Sequence, residues 1–240
     1  AGAAALCGMT CLRSGAGLVT VATPAAVQPT VAAFSPCYMT VPLPDDEEGR
    51  LADNHLETLN ELLESADAAA FGPGLGQSEQ VRAATAHFYR ERPLPAVIDA
   101  DGLNALAKLE SDRGSELLKE AAAPRVLTPH PGEFARLTGE QPGSDDQARI
   151  AAAGRLARQG GEGKLVVVLK GNRTVVTDGQ QVAVNATGNP GMATGGTGDC
   201  LTGLITTLLA QGYEPFTAAR LGVHLHGLAG NAAAATLGEV

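Results

Sequence analysis

At 240 residues, with 44% hydrophobic and 18% charged side chains, the chain falls outside the composition of disordered proteins and can bury a full core. Its length is near the upper end for one domain, and a single domain over residues 1–240 is expected. A formal net charge of −9, with no Lys/Arg cluster along the sequence, makes nucleic acid and anionic membrane poor partners.

The chain opens AGAAALCGMT, without a methionine and already in a small-residue helical pattern, so further residues are expected to precede Ala1. Short β-rich runs follow: LVTVA (18–22), YMTVPL (38–43), AAAFG (68–72), AVIDA (96–100) and RVLTP (125–129). They are apolar at both odd and even positions, as strands covered by helices on two faces are. Between them, ADNHLETLNELLESA (52–66), SEQVRAATAHFYRER (78–92) and DDQARIAAAGRLARQG (145–160) carry helical patterns. The alternation predicts an α/β domain with a mainly parallel sheet. Next, KLVVVLKG and RTVVTDGQQVAVN bring β-branched runs split by Asp178-Gly179, which predicts an antiparallel hairpin at the sheet edge. PDDEEG (44–49) and TGEQPGSDD (138–146) read as surface loops. Apolar stretches are interrupted well before the ~20 residues of a bilayer span, and no basic run precedes an apolar signal, so a cytoplasmic protein is expected. Cys7, Cys11, Cys37 and Cys200 have neither metal-ligand spacing nor disulfide density, and are expected as reduced, buried thiols.

The chemistry-bearing stretch is GGTGD (195–199), which leads into the apolar helical run CLTGLITTLLAQG. Glycines let a backbone approach an anion closely, and a helix start adds unpaired amides and the positive end of its dipole. Asp199, in the first turn, would be held as a carboxylate by that dipole and could take a proton from a hydroxyl beside a bound phosphate. The plainer reading is a glycine-rich turn with a helix-capping Asp. The stretch lacks the Lys-Ser/Thr of a P-loop and is not a G-x-G-x-x-G turn after a first strand.

Other stretches carry a second, ordinary reading too. GPGLG (72–76) follows a strand and either presents amides to a ligand or makes a tight strand-to-helix turn. TPHPGE holds His130 between two prolines in an extended presentation. In DADGLNAL, Asp99, Asp101 and Asn104 leave a strand, with Asp101 the expected cap of the next helix. SGAG (14–17) is a turn, and His224 and His226 are read as packing residues of an Ala/Gly-rich helix.

GGTGDCLTGLI near the end of an α/β chain resembles the anion-hole signature of the ribokinase-like superfamily. Together with RSGAGLVTVATP, FGPGLGQ, VIDADGLNAL, VLTPHPGEFARLTG and VVLKGNRTVVTDG, it makes nearly the whole chain resemble the ADP- or ATP-dependent NAD(P)H-hydrate dehydratases. The resemblance implies a three-layer α/β/α fold with a mainly parallel central sheet and an antiparallel edge hairpin. It implies Asp199 as catalytic base; Ala3, Gly74, Gly76, His130 and Asp199 on the substrate; and Lys170, Gly171, Asn172, Arg173, Thr174, Gly195, Gly196, Thr197 and Gly198 on the nucleotide. His130 and Glu133 stand where related vitamin kinases show Asn-x-x-Glu, which implies an altered acceptor and an indirect role for Glu133 toward magnesium. The implied substrates are NADHX and NADPHX with ADP, or ATP as in eukaryotic members, and Mg2+. A homotetramer is the implied assembly. A hydroxyethylthiazole or hydroxymethylpyrimidine kinase is the alternative of the same fold, and a non-catalytic nucleotide-binding domain is a third.

Overall fold

The computed structural model describes residues 1–113, 116–161 and 163–238. In chain order the elements are α1 (Gly2–Arg13), β1 (Thr20–Pro24), α2 (Gln28–Ala32), β2 (Met39–Leu43), α3 (His55–Glu64), β3 (Ala69–Phe71), α4 (Glu79–Glu91), β4 (Ala96–Ile98) and α5 (Ala100–Arg113). They continue as β5 (Arg125–Leu127), α6 (Pro131–Thr138), α7 (Asp146–Gln159), β6 (Leu165–Leu169), β7 (Val175–Thr177), β8 (Val182–Val184), α8 (Thr197–Ala210) and α9 (Pro215–Leu237). A six-stranded sheet runs β3-β4-β5-β6-β7-β8. Its first four strands are parallel neighbours, and β7 and β8 fold back antiparallel through the turn at Asp178-Gly179.

β6, LVVVL, is buried at every position, and its alternation feeds two cores. Leu165, Val167 and Leu169 join α5, α6 and α7 on one face. Val166 and Val168 join α8 and α9 on the other. This is the expected three-layer α/β/α arrangement. β1 and β2 differ from expectation, because they pair only with each other in a separate two-stranded parallel sheet. β1 is buried only at alternate positions, with a small core of Ala5, Val21, Val31 and Tyr38 beneath it.

The cysteines also depart in part from expectation. All four are free, but Cys37 is exposed and Cys200 only half-buried, while Cys7 and Cys11 are buried one turn apart on α1. Among the described residues, no helix is long and apolar enough to cross a membrane.

Helix ends are satisfied locally. Ser78 and Asp145 cap α4 and α7 by accepting from the amides of Val81 and Ala148. The far end of α4 is held by Arg125, fully buried at the start of β5, whose guanidinium donates to the carbonyls of Phe88, Tyr89, Arg92 and Leu94. Burial pushes its pKa down to about 10, although it stacks over the rings of Phe88 and Tyr89.

Candidate active site

Because β3 to β6 are parallel, their carboxyl ends open on one edge of the sheet, where α/β folds gather ligands. Four strand-to-helix or strand-to-strand segments meet there: 72–78, 99–100, 128–130 and 170–174. The Lys170 amide donates to the Pro129 carbonyl and joins two of them. At their centre Asp99, 1% exposed, takes a 2.7 Å ion pair from Lys170 Nζ on Oδ1. Its Oδ2 accepts from Thr202 Oγ1 at 2.8 Å. One buried carboxylate therefore ties the ends of β4 and β6 to α8.

The 195–198 loop closes over this anchor. Gly196 is the N-cap of α8 at φ +89°, a left-handed conformation that other residues adopt only with strain. A Cβ at Gly198 would lie 3.4 Å from Lys170 Nζ and 3.7 Å from Asp99 Oδ2. Lysine charge and helix-start amides thus face the same space. Asp199 is half-buried in the first turn of α8, and among the described residues nothing hydrogen-bonds or ion-pairs with its carboxylate. Burial pushes its pKa up; the charges of Asp99 and Asp101 push the same way, and Lys170 pulls it down. Burial and like charge thus work against the stabilisation expected from the helix dipole, and the carboxylate is more basic than an ordinary aspartate.

His130 is the N-cap of α6 rather than an unattached extended residue. Its Nδ1 accepts from the amides of Gly132 and Glu133, at 3.0 and 3.3 Å, so the ring hydrogen belongs on Nε2. Glu133 answers by accepting from the His130 amide at 2.8 Å, completing a reciprocal cap. The Glu133 side chain is 7% exposed, and its two oxygens face His130 Nε2 at 3.5 Å and Lys170 Nζ at 3.8 Å. Both oxygens are engaged within the protein. Among the described residues no group of three or more His, Cys, Asp or Glu is placed to hold a metal ion, so the donor set does not fit a resident metal.

Ala3, on α1, lies against Gly74: a Cβ added at Gly74 would be 3.3 Å from that of Ala3. α1 reaches this point because it packs backbone-close on α8, where a Cβ at Gly203 would overlap the Cys7 carbonyl. The amide of Gly76 is not open to a ligand, since it donates to Asp101 Oδ2 at 2.8 Å. Asp101 also accepts from Gln77 Nε2 at 3.0 Å. It braces the 72–77 loop from inside the first turn of α5 instead of capping that helix.

In the 170–174 segment it is Lys170 that reaches the glycine loop. Arg173 ion-pairs with Asp146 at 2.7 Å, and Thr174 Oγ1 donates to the Gly171 carbonyl at 3.0 Å, so both shape the turn. The turn is clamped from α7 by Arg149, which is buried and donates to the carbonyls of Leu169, Lys170, Asn172 and Arg173. Sequence reasoning missed Arg149, because an arginine on an amphipathic helix normally points to water. It also took His226 as packing alone. His226 is half-buried on α9, hydrogen-bonded to the Thr197 backbone, and its pKa is lowered by burial and by the charge of Lys170. No local signal marks either residue.

A family profile described as NAD(P)H-hydrate dehydratase matches residues 1–239. The bifunctional NAD(P)H-hydrate repair enzyme Nnr of Moorella thermoacetica is 43% identical over 240 residues, covering 99% of this chain and 44% of that protein. The chain therefore spans less than half the length of this relative. The ADP/ATP-dependent NAD(P)H-hydrate dehydratase of Bacillus subtilis, co-crystallized with ATP/Mg2+ and soaked with CoA, is similar at a TM-score of 0.75 and 32% identity, over 98% of this chain and 79% of that one. A ribokinase-like superfamily protein of Enterococcus faecalis V583 is similar at a TM-score of 0.75 and 29% identity, over 98% and 76% of the two chains. The fold is ribokinase-like, and with sequence and structural similarity running from end to end, the chain belongs to the NAD(P)H-hydrate dehydratase family.

Proposed function

We propose that the chain removes water from NADHX and NADPHX at the expense of ADP, yielding NADH or NADPH, AMP and phosphate. One observation carries this reading: an ionisable carboxylate of raised pKa, Asp199, with no partner among the described residues, adjoins a glycine-lined helix start and Lys170. Hydroxide is a poor leaving group at neutral pH. Asp199 takes the proton of the ring hydroxyl while its oxygen attacks the terminal phosphorus of ADP, and AMP departs. The ring nitrogen's electron pair then expels phosphate, and the adjacent ring carbon loses a proton to restore the dihydropyridine. Charge developing on the transferred group is met by the amides of 195–198 and by Lys170.

Ala3, Gly74, Gly76 and His130 are proposed to line the hydrated ring, and Lys170 to Thr174 to border the nucleotide. Mg2+ would travel with the nucleotide's phosphates, a reading supported by the ATP/Mg2+ used with the B. subtilis relative. Glu133 would act through the position of His130 and Lys170.

The test is to incubate the protein with NADHX and either ADP or ATP and follow the absorbance of reduced nicotinamide. Absorbance is expected to return with ADP. Asp199→Asn is expected to lower turnover by about 10³-fold or more while still binding ADP. No recovery with either nucleotide, or equal activity in the variant, would overturn the proposal. A stable phosphorylated product without recovered absorbance would identify a small-molecule kinase instead.

A further inference from the structure

A cavity of about 500 Å³ bordered by α4, α5 and α6 is lined by Gln77, Arg82, Asn104, Ala107, Lys108 and Arg136. Three of the six are cations and none is acidic, in a chain of net charge −9. These cations lie far apart in sequence, and the fold brings them together. Arg82 makes no ion pair among the described residues. Arg136 is pre-positioned, because its Nε donates to Asn104 Oδ1 at 2.8 Å.

The cavity starts where the ring site ends, on two sides. Gln77 directly follows Gly76, and both are fastened to the Asp101 carboxylate. On the other side, a Cβ at Gly132 would lie 3.8 Å from Arg136 Nη1 and 2.8 Å from the His130 ring, so the guanidinium reaches back toward that imidazole. Arg82 lies in the first turns of α4, where the positive end of the helix dipole adds to its charge.

We propose that this cavity is the subsite for the phosphate-bearing adenosine end of the hydrated dinucleotide, with Arg82 and Arg136 as phosphate ligands. The inference rests on the dehydratase reading, which puts the hydrated ring at Gly76 and His130. A dinucleotide extends beyond its nicotinamide ring through a pyrophosphate to adenosine, and a guanidinium fork suits phosphate oxygens. The phosphates of the ADP co-substrate belong at the glycine loop, so the two nucleotides are separable by experiment.

The measurement is a fluorescence titration of NADPH into wild type and an Arg82→Gln/Arg136→Gln double variant, with thermal melting to show that the variant is folded. The dissociation constant for NADPH and the KM for NADPHX are expected to rise tenfold or more, while the KM for ADP stays where it was. Added salt is expected to weaken NADPH binding to the wild type more than to the variant. Hydrated, reduced nicotinamide mononucleotide, which lacks the adenosine end, is expected to be handled equally by both proteins. Unchanged NADPH binding in the folded variant overturns the proposal, as does an equal loss toward ADP or the mononucleotide. The titration needs no turnover, so a wild type that fails to regenerate NADPH would sink the dehydratase reading separately.

Discussion

Asp199 combines burial and a like-charged neighbour, and both raise the pH at which its carboxyl ionises. In its proposed role as base it must be unprotonated, so kcat/KM should fall as pH drops through the raised pKa, at higher pH than an ordinary aspartate would give. Asp99→Asn removes one of the upward pushes and is expected to move this acidic limb to lower pH in a pH–rate profile. The same shift bears on stability. The folded state holds this proton more tightly than the unfolded chain, so stability is favoured at low pH and declines as pH rises through the unfolded and then the folded pKa. Asp199→Asn should therefore melt at a higher temperature than wild type at neutral pH. The glycines and Asp199 were legible in the sequence because they are contiguous. The Asp99–Thr202 bond, between residues 103 apart, and the approach of His226 to Thr197 had no local signature.

At the scale of elements, α7 acts through one side chain. Arg149 donates to carbonyls of the 169–173 turn, and a Cβ at Gly171 would lie 3.1 Å from its Nη2. Arg149→Met removes this donor, at about 1–3 kcal/mol for each carbonyl left buried and unpaired. The expected outcome is a KM for ADP raised about tenfold, with little change in KM for the hydrated dinucleotide, from steady-state kinetics with each substrate varied. The helical period of α7 was readable, but a period states which face is apolar and does not say that a long cation will fold inward. α6 was not among the helices read from the sequence, although Pro131 suits its first turn, where a missing amide is not needed.

Across the molecule, alternating strand and helix patterns were enough to foresee an α/β domain with a mainly parallel sheet, and turn chemistry the edge hairpin, while the three layers were implied by the family resemblance. They could not show that β1 and β2 form their own sheet, because apolar alternation specifies burial and leaves strand partners open. Arg125 links the layers, running from the start of β5 to the last turn of α4 and the residues after it. Arg125→Met is expected to reduce stability by about 3 kcal/mol or more in urea unfolding, through several carbonyls stranded without a donor. Asp99 has the opposite kind of reach, small in span and wide in effect. The same side chain seats the lysine proposed to meet the incoming phosphate and adds to the burial that raises the pKa of Asp199. In the proposed mechanism, nucleotide grip and base strength are consequently geared to one wheel, and a lineage that retunes either property at this position must accept a matching change in the other.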